Sequence, residues 1–151
     1  MEEIMTIDRP PQVAGLSLSG TQPYTFDAAE NRPLCESIGV QPAPDGTAHP
    51  IYFYIATQVG MGMTVAGLCA ACDFNVDDGP MIASSSVTFQ GSLVTGQPYN
   101  VTGRIVSLTR KPSRKLGMMD MLEFSLELSL PDGTRVLSTT NRWVLPRRSL
   151  A

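Results

Sequence analysis

Residues 49–72 read HPIYFYIATQVGMGMTVAGLCAAC and lie within the longest stretch of the chain that has no charged side chain. Pro50 stands where a helix would take its first residue, a position that tolerates proline because its missing N–H would have no intrahelical partner. Apolar side chains fall on nearly every face of the segment, which is typical of a buried helix. At about 1.5 Å per residue, roughly two dozen residues would extend about 35 Å. We predict one long buried helix here, at the centre of the fold.

A membrane-spanning helix of similar length is the alternative interpretation of this stretch. Polar residues are spread along the segment, among them Gln58 and Thr64. In addition, Gly60 and Gly62 weaken the segment as an isolated helix. Both observations favour a core helix over a membrane span.

After Cys72 the hydrophobic period changes to two, which predicts β-strands. Leu122–Leu130 is the clearest example, because five apolar residues alternate with glutamates and serines. Such alternation indicates one buried face and one exposed face. Turn signals separate the strands, as Pro131-Asp132-Gly133 does before the last one. We predict a four-stranded antiparallel meander with strands at residues 80–90, 99–108, 122–130 and 134–145.

Smaller elements are predicted before the central helix. Residues 15–26 alternate weakly and favour a first strand or a strand-like arm. Asp27 is a suitable N-cap for a short helix that stops at Gly39. Residues 1–14 contain two adjacent prolines, so we expect an extended or mobile lead-in. The whole chain, residues 1–151, is predicted to form a single domain.

The composition is that of an ordinary globular protein, with 42% hydrophobic and 17% charged residues and a net charge of −3. This charge argues against a nucleic-acid partner, which needs a continuous positive surface. The amino-terminal sequence has no secretory signal pattern, so we expect a cytoplasmic protein with reduced cysteines. Cys69 and Cys72 have the spacing of redox and metal motifs, but no second pair accompanies them. We predict neither a metal site nor a cofactor.

One face of the predicted sheet has to be covered, and the long apolar helix is the only element able to cover it. The pattern therefore predicts an α+β hot-dog fold, in which a curved antiparallel sheet wraps around one long buried helix. A lone sheet of this kind leaves an exposed edge. We expect a dimer, formed with a second copy of the chain or with a related hot-dog subunit.

Three stretches resemble a known family over roughly residues 20–147. They are HPIYF at 49–53, SSSVTFQGSLVTGQPYNVTGRIVSL at 84–108 and LEFSLELSLPDGTRVLSTTNRWVLPR at 122–147. The chain resembles the MaoC-like hot-dog hydratases and dehydratases, especially the branch related to the dehydratase domain of fungal fatty-acid synthase. The resemblance implies an acyl thioester substrate, carried on coenzyme A or acyl carrier protein. It also implies a hydro-lyase reaction, the reversible addition of water to an enoyl group.

In this family an Asp and a His, separated by four residues, act as the catalytic pair at the start of the central helix. When Pro50 and Ile51 are matched to the corresponding family segment, the His position holds Tyr52 and the Asp position holds Thr47. Neither side chain is an ordinary base near neutral pH. The resemblance therefore implies that the catalytic pair is degenerate in this chain.

The candidate catalytic residues are His49, Asp45 and Tyr52. His49 is the single histidine of the chain, and Asp45 is placed to orient its imidazole. Tyr52 is a candidate proton donor. The alternative for His49 is a residue of the helix N-cap region, hydrogen-bonded to the preceding loop.

The candidate substrate-binding residues form two groups. The first lies along the central helix, where aromatic, small and pliant side chains would suit an acyl pocket. Ordinary core or dimer packing is the alternative, with the glycines admitting the close approach of a strand or a ligand. The second is a basic connection that would contact the phosphates of coenzyme A or an acidic carrier protein, with a solvated loop as its alternative. The residues are Tyr54, Gly60, Met61 and Met63 on the helix, and Arg110 and Lys111 in the connection.

Three functions remain open at this point. The one we favour is a catalytically degenerate subunit that shapes the acyl pocket of an active partner. The second is a self-sufficient dehydratase or enoyl-CoA hydratase that uses His49 with Asp45 or Tyr52. The third is a repurposed hot-dog enzyme acting on a bulky polyketide-like or terpenoid-like substrate.

Overall fold

The computed structural model describes residues 9–150, so most of the predicted lead-in lies outside the described residues. Within these residues, two 3₁₀ turns, Val76–Asp78 and Arg148–Leu150, accompany three helices and four strands. The helices are α1 (Ala28–Ser37), α2 (Tyr52–Gly60) and α3 (Val65–Ala71), and the strands are β1 (Met81–Phe89), β2 (Asn100–Ser113), β3 (Gly117–Ser129) and β4 (Arg135–Pro146).

The strands form one antiparallel sheet in the order β1-β4-β3-β2. The predicted meander is therefore wrong for β1, which pairs with β4 instead of β2. Residues 15–24 run along the outer edge of β2, as shown by the hydrogen bonds from Leu18 N to Gly103 O (2.9 Å) and from Tyr24 N to Tyr99 O (2.7 Å). The predicted strand-like arm is confirmed. Because the arm occupies the free edge of β2, only the edge of β4 remains for β1.

The β3–β4 hairpin supplies eight of the buried hydrophobic side chains of the core. The side chains of Leu122, Phe124, Leu126 and Leu128 are fully buried, and the residues between them are partly exposed. This confirms the predicted alternation. The hairpin turns as predicted at residues 131–134, where Gly133 has a φ of 91° and Asp132 accepts a hydrogen bond from Thr134 N. Burial of these large apolar side chains is the main force that fixes the register of the sheet.

The predicted single helix over residues 50–70 is wrong. The chain forms α2 and α3, which are bent by 60° relative to each other. Gly62 turns the chain between them with a φ of +80°, and Thr64 caps α3 by accepting a hydrogen bond from Gly67 N at 3.0 Å. The segment is also less buried than predicted, because Val59 is 63% exposed.

The close approach of the arm explains the break. A Cβ placed on Gly62 would lie 2.4 Å from Ser19 O, and a Cβ placed on Gly20 would lie 2.2 Å from Gly60 O. The glycines at these positions therefore let the arm pass directly over the end of α2. This packing agrees with the alternative to the acyl-pocket interpretation of these glycines, in which they admit the close approach of a strand.

Across residues 9–150 no single helix has the length and hydrophobicity needed to cross a membrane, and α2 with α3 meet those criteria only as a bent pair.

β1 is an edge strand whose residues are exposed except for the partly buried Val87. Its register shifts between Ile82, which lies opposite Trp143, and Ser84, which lies opposite Arg142. Ala83 is the extra residue of this β-bulge. Strict alternation predicts that Ala83 lies on the inner face of the sheet. Residues directly opposite each other share a face, and Ile82 lies opposite the buried Trp143. The bulge therefore places Ile82 on the inner face instead.

Candidate functional site

The loop that leads into α2 is held by contacts from two directions. Ala48 N donates to Leu93 O at 2.8 Å, and Thr47 forms an isolated bridge with Val94. From α1, the buried side chain of Asn31 accepts a hydrogen bond from His49 N at 3.0 Å. The entrance to α2 is therefore rigidly positioned, as a catalytic or binding site requires.

His49 is half-buried and engaged with the helix it precedes. Its Nδ1 atom accepts a hydrogen bond from Ile51 N at 3.1 Å. Because Nδ1 acts as the acceptor, the neutral imidazole carries its proton on Nε2. In this arrangement Nε2 is the ring nitrogen able to donate a hydrogen bond, and Nδ1 is already occupied by Ile51 N.

Asp45 is directed to its own loop. Its Oδ1 accepts a hydrogen bond from Thr47 N at 2.9 Å, and this contact lowers the pKa of the carboxyl group. Within residues 9–150, no hydrogen bond or ion pair joins Asp45 to His49. The structure therefore places these two candidates in the same loop without assembling them into an acid–base pair.

Tyr52 belongs to a buried aromatic stack. Its ring lies parallel to Phe26, with centroids 4.4 Å apart, and Phe26 in turn stacks on Tyr99 at 5.7 Å. Burial, with a smaller contribution from the charge of Glu30, raises the pKa of the Tyr52 phenol. At neutral pH the hydroxyl stays protonated, so it is able to donate a hydrogen bond but not to act as a base.

Two cavities lie at opposite ends of β1, on the side where α2 and α3 pack. The first, of about 230 Å³, adjoins the entrance to α2, and the second, of about 180 Å³, adjoins the start of α3. Phe53 lies between them, in edge contact with both Phe89 and Tyr54. The first cavity is lined by Thr47, Ala48, Pro50, Phe89, Gly91, Ser92 and Leu93, and the second by Tyr54, Val65, Pro80, Met81, Ile82 and Trp143. Both linings are mainly apolar, which suits acyl groups.

The remaining helix candidates lie away from these two cavities. Met61 is buried in the core, and Met63 packs against it. A Cβ on Gly60 would lie 2.6 Å from Val101 Cγ2, so the glycine allows tight packing on β2. Of the four helix candidates, Tyr54 alone lines either cavity beside β1.

The two basic candidates lie within β2, so the predicted connection is wrong for them, and they differ in environment. The side chain of Arg110 is 8% exposed, and its guanidinium binds the buried carboxylate of Asp120 through two hydrogen bonds, of 2.7 and 3.0 Å. Arg147 binds the same carboxylate at 2.9 Å and stacks over Phe74. Lys111, by contrast, is exposed. Arg110 therefore has a structural partner that the sequence did not indicate, and Lys111 is accessible to an anionic ligand.

The three cysteines are buried thiols. Burial raises the pKa of Cys69 and raises that of Cys72 to about 11. A thiol with such a pKa is a poor nucleophile and a poor metal ligand at neutral pH. Among residues 9–150 no group of three or more His, Cys, Asp or Glu side chains is placed to hold a metal ion.

Sequence reasoning did not identify the residues that line the second cavity, apart from Tyr54. Met81, Ile82 and Trp143 were assigned to strands, and only the exposed edge position of β1 brings the first two to a cavity. Trp143 is the single tryptophan of the chain, and it is 3% exposed. The one signal that the sequence offered for these residues was the tryptophan itself, because a buried indole N–H needs a hydrogen-bond partner.

No protein-family model matches the chain, and no curated protein sequence matches it. Solved structures do match. One chain of the C-terminally truncated HadBC complex, a 3R-hydroxyacyl-ACP dehydratase from Mycobacterium tuberculosis, has a TM-score of 0.67 and 11% identity, over 89% of this chain and 98% of that chain. A chain of the ChsH1-ChsH2 complex from the same organism has a TM-score of 0.62 and 15% identity, over 95% and 89% of the two chains.

A third similar structure is the MaoC-like dehydratase from Rhodospirillum rubrum, with a TM-score of 0.60 and 14% identity over 89% of this chain and 93% of that chain. At such low identity these likenesses establish the fold and not the activity. The chain has the predicted α+β hot-dog fold. The chain has this fold although its central helical segment is broken into α2 and α3.

Proposed function

We propose that this chain is a MaoC-like hot-dog subunit that binds an acyl thioester and shapes the acyl pocket of an active partner. One observation carries the proposal: Asp45 and His49 are each engaged with backbone N–H groups of their own segment and not with each other. The carrier is coenzyme A or acyl carrier protein. We place the chain in the branch related to the fungal fatty-acid-synthase dehydratase domain, and in the cytoplasm.

The acyl site we propose is the groove between α2 and β1. Its two apolar cavities and the aromatic side chains of Phe53, Tyr54 and Phe89 offer a continuous apolar lining. The first cavity lies beside His49, at the end of α2 where the resembling family has its catalytic pair. In this proposal the partner supplies that pair, and Lys111 remains a candidate contact for carrier phosphates.

The proposed partner is a second hot-dog subunit that docks along β1. An edge strand presents unpaired backbone groups, and here it also presents apolar side chains: Met81 is 42%, Ile82 59% and Phe89 43% exposed. Two of the structurally similar proteins are described as complexes of two named components, HadBC and ChsH1-ChsH2. A partner with an intact Asp/His pair would complete the active site.

The activity test uses the chain alone and mixed with a hot-dog subunit that retains the Asp/His pair. Hydration of crotonyl-CoA and of decenoyl-CoA is followed by loss of the enoyl thioester absorbance. We expect the isolated chain to be inactive, the mixture to be more active than the partner alone, and His49→Ala to leave the mixture unchanged. Tyr52→Phe serves as a control that keeps the aromatic stack.

A different result would favour the self-sufficient enzyme. If the isolated chain hydrates either substrate, and His49→Ala lowers its kcat by about a hundredfold or more, as loss of a general base does, the accessory role is wrong. Activity that survives His49→Ala but is lost in Tyr52→Phe would instead identify the repurposed site. Binding of a non-hydrolysable acyl-CoA thioether, measured by calorimetry, tests the thioester-binding function independently of catalysis.

The interface test replaces one exposed residue of β1. Ile82→Lys puts a charge on the apolar edge, which we expect to weaken subunit association about tenfold or more, or about 1.4 kcal/mol. Sedimentation velocity over a concentration series measures the effect. Val106→Lys is the control, because Val106 is also an exposed apolar residue (38%, against 59% for Ile82) but lies on β2, at the opposite end of the strand order from β1. Equal effects of the two substitutions would contradict an interface at β1.

A further inference from the structure

The end of the β2–β3 hairpin extends beyond the other strands of the sheet. In the part of the chain that the structure describes, the backbone hydrogen bonds of the arm to β2 stop at Ile105, and the pairing of β3 with β4 stops at Met119. The pairing of β2 with β3 continues until Ser113 lies opposite Gly117. Residues 111–118 therefore form a two-stranded ribbon, which we call the basic ribbon.

The turn that closes the basic ribbon has a defined backbone conformation. Ser113 Oγ accepts a hydrogen bond from Leu116 N at 3.2 Å, and Gly117 has a φ of +77°. A glycine in the left-handed conformation is typical of short hairpin loops. Arg114 and Lys115 are the exposed residues of this turn. The ribbon therefore presents two cations from an ordered tip.

The charge of the basic ribbon and its flanks has one sign. Residues 109–119 contain four cations and no Asp or Glu, although the net charge of the whole chain is −3. Three of these cations, Lys111, Arg114 and Lys115, are exposed, and none of the three forms an ion pair with any residue that the structure describes. Positive charge is thus concentrated at one end of an acidic protein.

Several exposed arginines elsewhere on the chain have acidic neighbours that neutralise them. The pairs are Arg32 with Glu36, Arg135 with Glu127, and Arg142 with Glu123. The three exposed cations of the basic ribbon lack such compensation. The ribbon therefore keeps a positive field, which attracts anionic ligands and the acidic surfaces of other proteins.

The basic ribbon lies at the same end of the sheet as the second cavity beside β1. Met81 lines that cavity and pairs with Val144 on β4, which in turn pairs with Met121 on β3. Met121 is three residues from Met118 in the ribbon, or about 10 Å along a strand. A macromolecule held by the ribbon would therefore lie at the end of the sheet that contains an apolar cavity.

The arrangement of the cations favours a protein surface over a small phosphate ligand. Phosphate sites usually direct several backbone N–H groups and cations towards one point in a concavity. Here the exposed cations are spread along a ribbon and its tip, and neither cavity beside β1 is lined by any of them. Cations spread over an exposed surface match a broad acidic surface, where charge complementarity guides association.

We propose that the basic ribbon is the docking surface for the acidic face of an acyl carrier protein, and that the carrier is this protein and not free coenzyme A. The identity of the partner as an acyl carrier rests on the proposed thioester-binding function. Docking at the ribbon places the carrier at the end of the sheet where the second cavity lies.

The first test measures the affinity of the full chain for an acyl carrier protein that bears a non-hydrolysable decanoyl thioether, by calorimetry. We expect the affinity to fall about tenfold or more between about 0.01 M and about 0.15 M salt, because the Debye length falls from about 30 Å to about 8 Å. Decanoyl-CoA thioether is the comparison ligand, since it carries the same acyl group without a protein surface.

Charge-reversal variants locate the contact. Lys115→Glu should weaken binding of the carrier protein about fivefold or more at low salt, because it sets like charges against each other. Arg104→Glu is the matched control, because Arg104 is an exposed cation of β2 outside the basic ribbon. The same change in net charge at this position should cost less than about twofold. Arg114→Glu/Lys115→Glu should lower the affinity further than Lys115→Glu does.

A crosslinking experiment tests the location directly. Lys111 and Lys115 are the two lysines of the chain. Carbodiimide coupling of amines to the carboxylates of the carrier protein therefore reports on the basic ribbon, with the terminal amine as the other reactive group. We expect mass spectrometry to find the crosslinks at the two lysines. Crosslinks at the terminal amine alone would contradict the proposal.

Four results would overturn the proposal. They are the absence of carrier protein binding at low salt, equal effects of Lys115→Glu and Arg104→Glu, an equal effect of Lys115→Glu on decanoyl-CoA thioether, and ribbon-dependent binding of a DNA duplex as tight as that of the carrier protein. The third would assign the ribbon to the phosphates of coenzyme A, and the fourth to a nucleic acid.

The two proposals fail in different ways. Ribbon-dependent binding of the carrier protein that is the same with and without its acyl group, together with no binding of decanoyl-CoA thioether, would retain the docking surface and reject the proposed function. Binding of decanoyl-CoA thioether without binding of the carrier protein would do the reverse.

Discussion

Replacing Asp120 with alanine is expected to lower the free energy of unfolding by about 3–5 kcal/mol, because it leaves buried guanidinium groups without their carboxylate. The side chain of Asp120 is fully buried, and those of Arg110 and Arg147 are 8% and 11% exposed. Urea unfolding followed by circular dichroism measures the effect. A loss below about 1 kcal/mol would show that solvent or other groups compensate the arginines.

The neighbouring ion pair on the same strand provides a matched control. Glu123 on β3 binds Arg142 at 2.6 Å, but Glu123 is 22% and Arg142 55% exposed. Exposed pairs of this kind contribute only about 0–1 kcal/mol. Glu123→Ala should therefore have a small effect in the same experiment, and an effect equal to that of Asp120→Ala would contradict our assignment of burial as the cause.

Replacing Gly62 with alanine is expected to cost about 2–5 kcal/mol, the sum of two effects. A left-handed backbone costs a residue with a Cβ about 1–2 kcal/mol, and overpacking commonly adds about 1–3 kcal/mol. The added Cβ would lie 2.4 Å from Ser19 O, a backbone atom that cannot rotate away. Urea unfolding measures the loss, and we expect hydrogen exchange to increase in residues 15–24 as the arm detaches.

Gly39 provides a control for the part of the Gly62→Ala cost that comes from the left-handed backbone. Its φ of +76° is close to the +80° of Gly62, but a Cβ at Gly39 would meet no atom within 4 Å. Gly39→Ala should therefore show only the cost of the left-handed conformation, about 1–2 kcal/mol. If both variants lose the same stability, the contact between the arm and the helix break contributes nothing measurable.

Local patterns predicted the elements that depend on local physics. The alternation in Leu122–Leu130 gave the central strand correctly, because burial of one face of a strand repeats every second residue. Asp27 was correctly identified as an N-cap, since its carboxylate accepts a hydrogen bond from Glu30 N at 2.8 Å. Such signals require only neighbouring residues.

The errors came from contacts between distant segments. The helix breaks where Ser19 and Gly20 pass over Gly60 and Gly62, about forty residues apart in sequence. The position of β1 is consistent with the occupation of the β2 edge by the arm. No periodicity within residues 50–70 or 80–90 carries that information.

In the candidate site, too, the sequence predicted the features that depend on local patterns and missed those that depend on contacts between distant segments. The sequence located His49, Asp45 and Tyr52 at the entrance to the central helix, but not the hydrogen bonds that turn the first two towards the backbone. It assigned the basic residues to a connection, whereas Arg110 lies within β2 and faces a buried carboxylate across the β2–β3 pair. Side-chain partners of this kind depend on register and on rotamers, which become defined only when the sheet is assembled.

By itself the amino-acid sequence determined the α+β class, the main strands, the buried face of β3 and the position of the helix entrance, because hydrophobic periodicity and capping act over a few residues. Tertiary structure alone decided the break at Gly62, the edge position of β1, the Asp120 ion-pair cluster and the cavity beside Trp143. These features arise where segments far apart in the chain meet, and there close packing and the pairing of buried polar groups override local preference.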